Sequence, residues 1–172
     1  MMGKALALAG VGLQDLPGNR QPGTLGWLKL KVAVWETVEA YMQKGFDTFY
    51  ADIKTGTDLL CWEALLDARD SGKAPVRLIA VRSYAERGAY LTRADKMQKA
   101  LALVEADSVV DRGNLEACCR YMAEKADAAL GIFHGESYSP AASLLQYARE
   151  RQKEITVIDP VTLEKKAARM LP

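Results

Sequence analysis

β-like and helix-like runs alternate along this chain from end to end, and this alternation constrains the fold more than any other feature. Six short apolar runs are predicted as strands, at residues 5–10, 46–51, 76–81, 108–110, 128–133 and 155–158. Helices are predicted between them, at 24–43, 57–70, 92–106, 114–125 and 139–152, with a short one after Pro160. Because the strands are apolar on both faces, the pattern predicts a doubly wound α/β fold whose mostly parallel six-stranded sheet carries helices on both faces.

The first predicted helix carries an apolar stripe at helical period. Its members are Leu28, Val32, Trp35, Val38 and Met42. Such a stripe is typical of the buried face of an amphipathic helix. We therefore expect this face to pack on the sheet.

Length and composition predict one globular domain over residues 1–172. The chain is 49% hydrophobic and 26% charged, and its sequence contains no linker or repeat that would require a second domain. The formal net charge of +1 argues against strong nonspecific attraction to nucleic acid or to an anionic membrane. The sequence leaves the oligomeric state open, a homo-oligomer included.

The three cysteines point to a reducing compartment. Cys61, Cys118 and Cys119 are odd in number, lack C-x-x-C spacing and fall in predicted helices, so we expect reduced core thiols and no metal site. The apolar run at residues 1–12 lacks a following cleavage-like region, and no run approaches the roughly 20 residues that a membrane span needs. A cytoplasmic location with no membrane partner is expected.

Two strand-to-helix junctions are the most informative local features. Residues 46–63 predict a strand, a turn containing Gly56 and a helix start, and residues 128–148 predict a second junction of this kind. The N–H groups and positive dipole end of a helix N-terminus favour an anionic ligand. Two such junctions on one sheet predict a pocket for a nucleotide-like ligand.

The loop after the first strand contains Gly10, Gly12 and the lone arginine Arg20. Glycines let a backbone approach a phosphate closely, and an arginine pairs with one. The dinucleotide fingerprint G-x-G-x-x-G fails here because Asp15 occupies the position of its third glycine. An ordinary flexible surface loop is the alternative interpretation.

The other two loops carry helix-capping patterns. Thr55 and Asp58 have capping-box spacing, and this structural role competes with ligand binding by Asp58. Ser139 is predicted as an N-cap with Pro140 at the first helical position, although its hydroxyl also suits a phosphate. His134, the only histidine, is either a proton carrier or a hydrogen-bonded structural residue.

Several motifs in order resemble a known family. They are Gly56-Thr57-Asp58 with Glu63-Ala64, Arg112-Gly113-Asn114, Tyr121-Met122, the run Asp127 to Ile132, Gly135, and Tyr147-Ala148. In this order the chain resembles the YpsA-like branch of the SLOG superfamily, which groups the DNA-processing protein DprA with the lonely-guy nucleotide hydrolases. The resemblance implies a Rossmann-like fold and a pocket for a nucleotide or ADP-ribose-like ligand. The residues expected around this pocket are Gly10, Gly12, Arg20, Gly56, Asp58, Arg112, Gly135 and Ser139.

Three positions depart from the family pattern. Asp52 stands where glycine is favoured, and its carboxylate would repel a phosphate. Pro140 replaces a residue of a Ser-Gly-Thr turn and has no N–H to donate. Leu144 lies in the helix turn where the hydrolase branch has a glutamate.

These departures favour a noncatalytic protein that binds or senses a nucleotide-derived ligand. The alternative is a nucleotide N-glycosidase with Glu63 or Glu136 as its acid or base, since glycoside cleavage needs a carboxylate beside the sugar carbon. In that alternative Arg20 or Arg112 holds the phosphate. DprA-like nucleic-acid binding is the third hypothesis, and it requires one continuous basic surface formed by Arg20, Lys54, Arg82 and Arg87.

Overall fold

The computed structural model describes residues 3–52, 57–72, 74–83, 93–135 and 139–169. Within them the chain forms seven strands: β1 Lys4–Gly10, β2 Phe46–Asp52, β3 Arg77–Ser83, β4 Ser108–Arg112, β5 Ala128–Ile132, β6 Glu154–Ile158 and β7 Lys165–Arg169. The same residues form five α-helices: α1 Leu25–Gln43, α2 Thr57–Asp70, α3 Arg93–Glu105, α4 Leu115–Lys125 and α5 Pro140–Glu150. The predicted alternation of strands and helices is thus confirmed up to β6.

All the described strands belong to one sheet. Their order is β4-β3-β2-β1-β5-β6-β7, and every neighbouring pair is parallel except β6 and β7. The two strands β1 and β5 lie side by side at the centre, with Leu8 opposite Leu130. The prediction of a mostly parallel α/β sheet is therefore confirmed.

The end of the chain corrects the prediction, because a seventh strand replaces the short helix expected after Pro160. The side chain of Asp159 accepts hydrogen bonds from the N–H groups of Val161 and Thr162, which forms a turn. Leu163 then adopts a positive φ of 65°, and Asp159 N–H donates to the carbonyl of Glu164. The chain therefore reverses and β7 pairs antiparallel with β6, so tertiary pairing overrides a lysine- and alanine-rich segment of helical propensity.

Helix α1 forms where expected, but its predicted buried stripe is correct only at its C-terminal end, where Val38 is buried and Met42 packs against the core. The side chains that pack inward are mainly Leu30, Val34 and Val38, whereas Leu28 and Val32 are exposed. The inward residues also recur at helical period, so the helix is apolar on two sides. The predicted stripe therefore mixes residues of the outer side with Val38 and Met42 of the inner side.

The helices cover the sheet in two layers with different packing. Leu6 and Leu8 of β1 belong to the core layer beneath α1 and α2, whereas Ala7 belongs to the layer beneath α4 and α5. Small side chains on the second face allow close approach of α5. A Cβ atom at Gly131 of β5 would lie only 2.9 Å from Cδ1 of Leu145 on α5. The cysteines are buried in these two layers, as predicted: Cys61, Cys118 and Cys119.

Candidate functional site

The crevice at the carboxyl ends of β1 and β5 is the candidate site. From these neighbouring strands the chain leaves toward opposite faces of the sheet, because α1 packs in one core layer and α5 in the other. Strand order also reverses here, since β2 to β4 lie on one side and β6 and β7 on the other. Ligands of open α/β sheets bind at such a switch point.

The end of β1 is fixed by contacts on both sides. Gly10 lies opposite Ile132 in the ladder, and Val11 N–H donates to the Ile132 carbonyl at 3.2 Å. The hydroxyl of Thr57, the first residue of α2, donates to the Val11 carbonyl at 2.7 Å. The N-terminus of α2 is therefore anchored directly to the end of β1. Gly12 follows with ordinary extended dihedrals, φ −71° and ψ 166°.

The N-terminus of α5 forms the opposite side of the crevice. Ser139 is its N-cap, and the Ser139 hydroxyl accepts a hydrogen bond from Ala142 N–H at 3.0 Å, with Pro140 at the first helical position. The predicted cap is confirmed. Gly135 has a φ of 77°, a left-handed conformation that favours glycine, and a Cβ atom there would meet open space.

Arg20 anchors its loop rather than extending into solvent. Its Nε donates to the Pro160 carbonyl at 2.9 Å, and its Nη2 donates to the Val161 carbonyl at 3.1 Å. The loop itself contains two short 3₁₀ turns, Leu13–Asp15 and Gly18–Arg20. The loop therefore has a defined conformation at the surface, and both the surface-loop interpretation and the phosphate contact of Arg20 stay predictions.

His134 and Asp159 form the second anchor of the same β6–β7 turn. Nδ1 of His134 lies 2.7 Å from Oδ2 of Asp159. Partial burial is the largest influence on the pKa of Asp159 and raises it. Hydrogen bonds from His134 and from the N–H groups of Val161 and Thr162 together outweigh burial and lower the pKa of this carboxyl.

A groove of about 550 Å³ opens beside Gly135, between α5 and the strands β6 and β7. Its floor is apolar and its rim carries charged groups, and its volume lies in the usual range for small-molecule pockets. The floor includes Phe133, Leu145, Ile155 and Val157, and the rim includes His134, Arg149, Asp159, Glu164 and Lys166. No pattern in the sequence indicates this groove, because one of its walls is strand β7, which was not predicted.

Two of the expected residues lie away from the crevice. Arg112 ends the edge strand β4, three strands from β1 or about 14 Å. Its guanidinium lies 4.1 Å from the ring centroid of Tyr121, and Nη1 donates to the Asp111 carbonyl. Glu63 lies on α2 and forms a 3.1 Å ion pair with Lys31 of α1.

Other predicted positions fall partly or wholly outside the described residues. Gly56 and Glu136 lie outside them, and so does the side chain of Asp58, whose backbone is in the first turn of α2. Asp52 ends β2 and is only 1% exposed, so its carboxylate does not extend into the solvent.

The described residues meet neither the requirements of a metal site nor those of a membrane-spanning helix. Within the described ranges, no three His, Cys, Asp or Glu side chains are grouped as a metal site would require. No helix in that part of the chain combines the length and apolar character needed to cross a bilayer.

Comparison with known proteins supports the fold. No protein-family model matches the sequence, and no curated protein matches it significantly. Among solved structures, the chain is similar to the X-ray structure of TM1055, a structural genomics target, with a TM-score of 0.55 and 17% sequence identity. The match covers 88% of this chain and 72% of that chain. At this identity it shows a shared Rossmann-like α/β fold alone, so the resemblance to the SLOG superfamily stays a prediction.

Proposed function

We propose that this protein binds a nucleotide or an ADP-ribose-like ligand in the crevice between the loops after β1 and β5, without converting it. The observation that carries the proposal is the divergence of α1 and α5 from two neighbouring central strands. In open α/β sheets such a divergence creates a crevice at the carboxyl edge, and nucleotides bind there. The positive end of the α5 dipole supports an anionic group there.

The proposed contacts come from the residues at this edge. Gly10 and Gly12 belong to the β1 side, and Gly135 and Ser139 belong to the α5 side. Gly56 and Asp58 are proposed from the loop before α2. Arg112 is not included, because β4 is three strands away from β1.

Binding is favoured over glycoside hydrolysis because one of the two candidate catalytic carboxylates, Glu63, already forms an ion pair. A glycosidase places a carboxylate beside the sugar carbon. Glu63 is paired with Lys31 at the contact between α1 and α2, which makes it a surface ion-pair residue. Of the two candidate catalytic residues, only Glu136 then remains for glycoside hydrolysis.

Nucleic-acid binding is disfavoured by the placement of two arginines. Arg20 binds carbonyls of the turn between β6 and β7, while Arg82 of β3 forms a bidentate pair with Asp111. These guanidinium groups lie on opposite sides of the central strand, and Arg82 is neutralised by its partner. These two arginines therefore do not support the single continuous basic surface that DprA-like binding requires, and Lys54 and Arg87 lie outside the described residues.

The test is calorimetry and thermal shift with nucleoside monophosphates and ADP-ribose. A ligand at a hundredfold above its dissociation constant stabilises the folded state by about 2.7 kcal/mol. We expect a rise in melting temperature with at least one of these compounds and no release of free base during incubation. Absence of any shift or binding heat contradicts the proposal. Base release that Glu136→Gln abolishes would instead make the protein a glycosidase.

A matched pair of variants at Gly12 locates the site. The backbone of Gly12 is extended, so other residues fit its dihedrals, and the nearest obstacle to a side chain is the flexible Gln14 side chain. Gly12→Asp places a negative charge at the crevice and should weaken binding by about tenfold or more, because like charges repel. Gly12→Asn has the same shape without the charge, so the difference in affinity between the two variants isolates the effect of the charge. Equal affinities for the two variants would place the ligand elsewhere.

A further inference from the structure

The outward face of α1 carries four large apolar side chains in a straight seam. They are exposed by 68% at Leu25, 56% at Leu28, 50% at Val32 and 36% at Trp35. Their spacing of three, four and three residues is that of alternating a and d positions in a heptad. The α1 seam, defined by these four residues, therefore has the geometry of a helix that packs against another helix.

The seam lies directly opposite the inward face of α1. That inward face is already filled, because Leu30, Val34 and Val38 are buried against the core. A helix that is apolar on both sides is normally buried on both sides. Contiguous apolar patches on soluble monomers also usually mark interaction sites. The α1 seam thus has the character of an interaction surface.

Charges beside the seam identify that partner. Lys29 and Glu36 occupy the same flank, one turn to either side of Val32, and both are exposed. If two α1 helices pack antiparallel about Val32, Lys29 of each copy lies opposite Glu36 of the other. Lys29 has no ion-pair partner among the described residues, whereas Glu36 already bonds Lys165 through one oxygen at 3.1 Å. The face is therefore complementary to itself.

Parallel packing of the two helices does not bring Lys29 opposite Glu36. In a parallel pair the flank with Lys29 and Glu36 faces the other flank of the partner helix, which here carries Lys31 and Val38. Lys31 is already paired with Glu63, and Val38 is buried. A depression of about 460 Å³ beside the seam, with Leu163 and Lys165 in its far wall, provides room for side chains of an antiparallel partner.

We propose that the α1 seam is the interface of a two-fold homodimer in which the two α1 helices pack antiparallel about Val32. Helix α1 is about 28 Å long, so one helix pair gives a contact at the smaller end of specific interfaces. The dimer is accordingly in exchange with monomer at micromolar concentrations. This inference is independent of the ligand proposed above.

Sedimentation equilibrium over a micromolar to millimolar range tests the proposal. Wild type should show a concentration-dependent dimer. Val32→Glu places two like charges at the two-fold axis and should leave only monomer. Val104→Glu is the matched control, since Val104 is a 78% exposed valine on α3, and it should dimerise as wild type. A wild-type monomer at every concentration, or a dimer that Val32→Glu leaves intact, overturns the proposal.

Charge reversal tests the antiparallel arrangement. Lys29→Glu and Glu36→Lys each place like charges opposite one another in their own homodimers, and each should weaken dimerisation by about tenfold. An equimolar mixture of the two variants should recover a heterodimer of about wild-type stability, because every contact in it joins opposite charges. Circular dichroism of each variant confirms that it is folded. Folded single variants whose mixture stays as weak as each alone would overturn the antiparallel arrangement.

Discussion

Nδ1 of His134 lies 2.7 Å from Oδ2 of Asp159, and this contact ties the loop after β5 to the turn between β6 and β7. Arg20 ties the loop after β1 to the same turn through the carbonyls of Pro160 and Val161. The two sides of the candidate crevice therefore share one anchor. The unforeseen strand β7 matters for the site because it holds this turn in place.

The lowered pKa of Asp159 predicts a dependence of stability on pH. A carboxyl whose pKa is lower in the folded than in the unfolded state stabilises the fold above its unfolded value of about 3.9, and this contribution is lost as the pH falls through the folded value. Wild type should therefore lose stability more steeply than Asp159→Asn below about pH 4. Urea unfolding at a series of pH values measures the difference.

The control for this experiment is Asp70→Asn, because the Asp70 side chain is 75% exposed and its nearest cation lies 3.8 Å away. This variant should keep the wild-type pH profile. Parallel profiles for wild type and Asp159→Asn would contradict the role assigned to the carboxylate.

Arg20 should contribute to stability even when no ligand is present. Arg20→Ala removes two charge-assisted hydrogen bonds to backbone carbonyls, so we expect a loss of about 1 to 3 kcal/mol in the free energy of unfolding. Arg149→Ala is the matched control, since the Arg149 side chain makes no hydrogen bond or ion pair with the described residues. Chemical denaturation of both variants gives the comparison, and an equal effect of the two would argue against the anchor.

The sequence predicted those features that depend on local signals. Ser139 and Pro140 mark the start of α5 by themselves, and apolar runs such as Ala128–Ile132 identify a buried parallel strand. Strand β7 was missed because it depends on the Asp159 turn and on pairing with β6, which no local pattern encodes. The buried face of α1 was assigned correctly only at Val38 and Met42, because apolar residues repeat at helical period on both sides of this helix.

The candidate site was predictable only in part for a similar reason. Position along the chain places Gly10 and Gly135 at strand ends, and the topology then brings them to one edge. The direction of a long side chain depends on its partners, so the carbonyls that hold Arg20 and the lysine that holds Glu63 were not foreseeable from spacing.

Gly26 is required where the first loop crosses α1. A Cβ atom at Gly26 would collide with the carbonyl oxygen of Asn19, which is backbone and cannot rotate away. Alanine normally improves a helix by about 1 kcal/mol relative to glycine, whereas overpacking costs about 1 to 3 kcal/mol. Because the obstacle is rigid, we expect Gly26→Ala to be destabilising by about 2 kcal/mol. Thermal and urea unfolding measure this change.

Gly113→Ala is the control for Gly26, because a Cβ atom at Gly113 meets nothing within 4 Å. It should change stability by less than about 0.5 kcal/mol, as exposed substitutions usually do. A Gly26→Ala variant as stable as Gly113→Ala would show that the loop shifts without cost.

Ser139 combines a structural role with the proposed binding role, and two substitutions separate them. Ser139→Ala removes the acceptor for Ala142 N–H and should cost about 0.5 to 2 kcal/mol of stability. Ser139→Asp keeps a capping oxygen and adds a charge that suits the helix dipole, so its stability should match wild type. The same charge should repel an anionic ligand, so its affinity should fall by about tenfold or more. Ser143→Ala, inside the same helix, should change neither quantity. If Ser139→Asp binds nucleotides as tightly as wild type, the ligand does not lie at the N-terminus of α5.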